Sequence, residues 1–115
     1  MKLRKLVLDL KNINDLSEFH EMMKKKFGFP DFYGANINAL IDCLSLMRYP
    51  KAEMCKFILQ PDEILLLETT GLYHTNDDIL GLLIYTIECV NSREIERNEF
   101  KLPSIYLSCI RNADE

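Results

Sequence analysis

Ile64, Leu65, Leu66 and Leu67 follow one another without a polar residue, and this run constrains the fold more than any other feature of the chain. It is short, follows Pro61 and precedes Gly71, so residues 63–69 read as a strand. A continuous apolar strand suits the centre of a parallel sheet, covered on both faces. Residues 2–10 begin in alternation at Leu3 and become Leu6, Val7, Leu8 and Leu10, a first strand of the same doubly covered kind. Pro103 opens a last strand over 104–110, where a proline in first position is tolerated. Parallel neighbours require crossover connections, which are usually helical.

The sequence between the strands supplies those helices. Asn14 is placed to cap a first helix whose apolar positions Leu16, Phe19, Met23 and Phe27 recur at spacings of three and four. Asp15, Glu18 and Glu21 stand early in it and Lys24, Lys25 and Lys26 late, as the helix dipole favours, and Gly28 stops it. Residues 29–34 read as a loop, with Pro30 barring a helix and Gly34 free to take backbone angles other residues avoid. Asn36 caps a second helix that buries Ile37, Leu40, Ile41 and Leu44, turns Asn38, Asp42 and Ser45 to another face, and ends before Tyr49 and Pro50. Residues 51–61 read as an irregular or short helical connection. Asn76 caps a third helix to about Asn91, with Asp77 and Asp78 in its first turn. Ile79, Leu80, Leu82, Leu83, Ile84, Ile87 and Val90 nearly encircle it, which predicts deep burial, and Gly81 suggests close packing there. The charged residues 93–101 read as a solvated helix tail or loop. The resulting fold class is α/β: a small three-stranded parallel sheet flanked by helices, in a single domain over 1–115.

Charge narrows the partners. The net charge of −4 counts against direct nucleic-acid or anionic-membrane binding and favours a basic protein partner. Residues 57–92 hold six acids (Asp62, Glu63, Glu68, Asp77, Asp78 and Glu88) and no lysine or arginine. No apolar run approaches the roughly 20 residues of a membrane span. The four cysteines contain no CxxC pair and no secretion signal precedes them, so reduced thiols, no structural metal and a cytoplasmic location are expected. No cofactor is expected either, because the four glycines form neither GxGxxG nor a P-loop. His20 reads as a plain surface residue, His74 as a loop residue without a nearby nucleophile, and Cys43 as a buried structural thiol.

The informative segment is FPDFYGANINALIDCLSLMRY, residues 29–49. Its Pro30, Asp31, Phe32, Tyr33, Gly34, Asn36, Ala39, Leu40, Asp42, Cys43 and Leu44 resemble the signature of the barstar family, inhibitors of barnase-type ribonucleases. The ending LPSIYLS, residues 102–108, is similar to the family's last strand. The resemblance implies a second helix and preceding loop that plug a ribonuclease active site. It implies that Asp42 takes the place of a substrate phosphate, that Phe32 covers the catalytic region with Tyr33 beside it, and that Asn36 adds polar contacts. Asn38 stands where the family pattern has a second acid. Ile41 and Met47 stand at or near positions of interface tryptophans, and this chain has no tryptophan. Asp77 or Asp78 would supply a further acid.

The expectation is therefore a non-catalytic inhibitor of the immunity or antitoxin type, monomeric before it binds a basic ribonuclease or related nuclease toxin through residues 30–47. A protein-interaction or regulatory module without a nuclease target is the alternative, and a neutral non-nuclease partner would identify it. A small enzyme using Cys43, Asp42 or His74 would require a strongly reactive Cys43 thiol.

Overall fold

In the computed structural model, which describes residues 1–72 and 75–110, one parallel sheet runs in the order β1 (Lys2–Asp9), β2 (Glu63–Thr70), β3 (Ile105–Cys109). The register sets Leu6 beside Leu67 and Leu67 beside Leu107. Residues of that parity, Leu8, Leu65, Leu67 and Ile105, face a core shared with Phe19, Met23 and Phe27, with Leu40 and Leu44, and with Ile79, Leu83 and Val90. The helices that carry these side chains thus cover a single face of the sheet. On the other face Leu3, Val7 and Tyr106 are exposed, and Lys5 bridges to Glu68 at 3.2 Å.

The expectation of two covered faces therefore fails for β1 and is met in β2 only at Ile64, which is fully buried on the open face while Leu66 and Glu68 of that face are partly exposed. An edge strand has one neighbour, and its outward side chains meet solvent whatever their polarity. The parallel ladder ends at Gly71, whose φ of 78° lies in the left-handed region, and a Cβ there would sit 2.5 Å from the Lys11 nitrogen.

α1 (Leu16–Phe27) is capped by Asp15 rather than by Asn14. The Asp15 carboxylate accepts from the Glu18 N–H at 2.8 Å, the three-residue reach that a cap requires, and Asn14 lies one residue too early. Gly28, at φ 69°, ends the helix with its N–H on the Lys24 carbonyl, as expected. α2 (Ile37–Leu44) is capped by Asn36, which accepts from the Ala39 N–H at 2.9 Å. The left-handed residue before it is Ala35 (φ 50°), and the glycine freedom expected at Gly34 is not used.

α3 (Asp77–Arg97) is capped by Asn76 and continues about two turns past Asn91. It buries Ile79, Leu83, Thr86, Ile87, Val90 and Glu94, a single stripe, while Ile84 and Tyr85 are exposed. Deep burial all round is thus corrected, because the helix packs on one side only. Gly81 is exposed and a Cβ would meet nothing within 4 Å, so close packing does not explain it. Residues 51–61 begin inside one short 3-10 turn, Pro50–Ala52, and are otherwise irregular. None of the described helices is long and apolar enough to cross a membrane.

Candidate functional site

The loop between α1 and α2 divides its aromatic residues by direction. Phe29 stacks on Phe27 with ring centroids 5.8 Å apart and meets Tyr33 at 4.8 Å. The Tyr33 hydroxyl reaches His20 Nδ1 on α1 at 2.6 Å. Phe32, one residue away, is 75% exposed. A tight turn, closed by the Tyr33 N–H on the Pro30 carbonyl at 3.0 Å, sends the two neighbouring rings opposite ways. His20 is therefore not a surface residue but a buried anchor for the loop, and burial lowers its pKa. Burial and the nearby Cys43 raise the Tyr33 hydroxyl.

α2 presents Asn38 and Asp42 on one exposed face, one turn apart, while Leu40, Cys43 and Leu44 anchor it in the core. Asp42, with its side chain 59% exposed, does not stand free of bases: its Oδ1 accepts from Arg93 Nη1 of α3 at 2.9 Å. The same Nη1 lies 3.5 Å from Ser45 Oγ. Beside this pair a groove of about 360 Å³ runs between the helices, lined by Asn38, Ile41, Tyr85, Glu88, Cys89 and Arg93.

The other predicted positions separate. Asn36 is exposed and spends its side-chain oxygen on the cap. Met47 is 1% exposed and lies in the core, with its carbonyl accepting from the Leu59 N–H, so it offers no contact surface. Ile41 is 5% exposed and forms the floor of the groove rather than a projecting contact. Asp77 and Asp78 are exposed in the first turn of α3. Asp78 precedes Arg93 by 15 residues (93 − 78), about 22 Å of helix, so these acids lie well away from Asp42 along α3. His74 lies outside the described residues.

Sequence reading missed a buried polar cluster beneath the site. Arg48, just past α2, donates from Nη1 to Glu94 Oε2 at 3.2 Å and to Ser104 Oγ at 3.0 Å. Its Nη2 donates to the carbonyls of Glu63 at 2.7 Å and Pro103 at 2.9 Å. Arg97 adds bonds to Glu94 Oε1 and to the Ser45 carbonyl and lies over the Tyr49 ring. Asn91 accepts from the Ser104 and Ile105 N–H groups and donates to the Ile105 carbonyl, so α3 pairs with the start of β3 through a side chain. The available signal was Glu94, four residues after Val90 on the apolar stripe.

Burial, then the Asp42 charge, pushes the Cys43 thiol up to about 11, and burial pushes Cys55 up to about 12. Neither thiol is an activated nucleophile. Among the described residues no group of three His, Cys, Asp or Glu side chains is placed to hold a metal.

Comparison with known proteins bears on the family of the chain. Over 43 residues the chain is 40% identical to the Bacillus subtilis (strain 168) protein named "Putative ribonuclease inhibitor YrdF". That alignment takes in 37% of this chain and 47% of the relative, so the chain spans about half the length of the relative it matches. The family described as Barstar (barnase inhibitor) matches residues 3–78, which include β1, α1, the aromatic loop, α2 and β2. Since that match covers more than half of the chain and the parallel α/β fold accords with it, the chain belongs to the barstar family.

Proposed function

We propose that this chain is a non-catalytic inhibitor that binds a basic ribonuclease, or a related nuclease toxin, and blocks its active site with residues 30–47. The observation that carries the reading is the placement of Asp42: an exposed carboxylate on a helix fixed from beneath by Leu40, Cys43 and Leu44. A rigidly presented carboxylate replaces a phosphate group among arginine, lysine or histidine side chains through charge-assisted hydrogen bonds. Phe32, 75% exposed at the end of an otherwise anchored loop, supplies an apolar contact of the kind that dominates interface energies. Its neighbour Tyr33 supports it from below through His20. Asn38 adds a polar contact one turn before Asp42, and Asp77 and Asp78, exposed in the first turn of α3, add acidic surface farther off. The family's description as barnase inhibitors and the name of the Bacillus relative support the class of target. An immunity role, with the chain protecting the cell that makes the nuclease, follows from that class. The reading places the chain in the cytoplasm as a single-domain monomer before it meets the enzyme.

The test is to titrate a barnase-type ribonuclease with the purified chain while following cleavage of RNA. Activity that falls stoichiometrically and recovers when excess RNA competes supports active-site blockade. Full activity at saturating chain contradicts it.

A further inference from the structure

Three arginines lie near the end of α2, and they are held very differently. Arg48 is buried with four hydrogen bonds, and Arg97 is held by Glu94, the Ser45 carbonyl and the Tyr49 ring. Arg93 has one short bond, to Asp42 Oδ1 at 2.9 Å, and a longer contact of 3.5 Å to Ser45 Oγ. Its side chain is 49% exposed and that of Asp42 is 59% exposed. Ion pairs this open to water contribute little and separate easily. Ser45 already donates its hydroxyl proton to the Ile41 carbonyl at 2.6 Å. Its oxygen lone pairs are therefore left to accept from a guanidinium that has let go of the carboxylate.

We propose that Arg93 is a specificity-determining residue: an internal cation resting on Asp42 that a partner's cation must displace before the carboxylate is engaged. The inference rests on the inhibitory reading above and deepens it. A partner cation that reaches Asp42 arrives within a few ångströms of the Arg93 guanidinium, and like charges at that separation repel even in a solvated interface. The pair thus sets a threshold. A single surface lysine or arginine gains little by exchanging places with Arg93, whereas a pocket that concentrates several cations supplies enough field to move it. The geometry selects for the multiply cationic cleft of an enzyme that binds phosphodiesters and against isolated basic patches.

The test measures Kd and association rate against barnase at low salt for the wild type, Arg93→Gln, Arg93→Glu, Asp42→Asn and the double variant Asp42→Asn with Arg93→Gln. Thermal melting confirms that each variant folds. Arg93→Gln is expected to tighten binding by roughly two- to tenfold, a gain of the size of an exposed ion pair plus the repulsion removed. Arg93→Glu should tighten it further, and the gain should shrink when Asp42→Asn is already present. Weaker or unchanged binding after Arg93→Gln, or an equal gain in both backgrounds, overturns the role of Arg93. If Asp42→Asn weakens binding in that same experiment, the inhibitory reading survives the loss of this inference. If the wild type does not bind barnase at all, the reading and the inference fall together.

Discussion

His20 and Tyr33 meet at 2.6 Å beneath the loop that carries Phe32, and their chemistry at that depth gives the chain a pH dependence. Burial lowers the His20 pKa from its ordinary 6.5, so the folded protein resists a proton that the unfolded chain accepts. The sign is fixed by linkage: stability is full above 6.5, declines as pH falls below it, and stops declining on this account once pH is below the folded value. Urea denaturation at pH 7.5 and pH 5 should show the loss, and His20→Gln should remove most of the difference. Tyr33→Phe, which leaves the imidazole without its partner, should cost about 1 kcal/mol in the same assay. The cysteines offer a second residue-scale check. With Cys43 pushed up to about 11 and Cys55 to about 12, brief alkylation of the native protein at pH 7.5 should label exposed Cys109 and spare both. Mass spectrometry showing rapid labelling of Cys43 would revive a nucleophilic role. Asp42 stood out in the sequence through the resemblance of residues 29–49 to the barstar signature. Its pairing with Arg93 did not, because no local pattern brings together residues 51 positions apart.

At the scale of elements, α2, α3 and β3 are tied by the Arg48–Glu94 pair, whose side chains are 3% and 1% exposed. Glu94→Ala would leave the guanidinium buried without a countercharge, a change that costs about 3–5 kcal/mol. Urea unfolding should register that loss, and joining it to Arg48→Met should recover a large part, since an apolar pair of similar volume needs no compensation. A loss under 1 kcal/mol from Glu94→Ala would show that water reaches the pair. This cluster also explains where sequence reading stopped. The stripe of α3 was legible as far as Val90 because apolar side chains announce burial, but its next member is Glu94, and a charged residue announces solvent. An end near Asn91 is what that pattern predicts, and it leaves the last two turns, which hold Arg93 and Arg97, as a solvated tail. The strands were read nearly to the residue because Pro61, Gly71 and Pro103 punctuate them. The exposure of β1 was missed because apolar content alone does not distinguish an edge from a centre.

Across the whole molecule the charge distribution becomes more specific than a total of −4 conveys. The six acids of residues 57–92 are not uniformly free: Glu63 lies 3.7 Å from Arg4 and Glu68 lies 3.2 Å from Lys5. Of the six, Asp62, Asp77, Asp78 and Glu88 make no ion pair among the described residues, and the last three lie along α3, which also holds the Arg93 that pairs with Asp42. A basic nuclease should therefore associate more slowly as salt rises, with the sharpest change between about 10 and 150 mM, where the Debye length falls from about 30 to 8 Å. Stopped-flow association rates check this, and a rate indifferent to salt would argue for a neutral partner. The most direct test of the central claim is the affinity of the wild type and of Asp42→Ala for a barnase-type ribonuclease, measured by inhibition titration. Removing one partner of a desolvated charge pair costs about 2–5 kcal/mol, so the account predicts that Kd rises by at least about thirtyfold. An Asp42→Ala variant that inhibits as tightly as the wild type would contradict it.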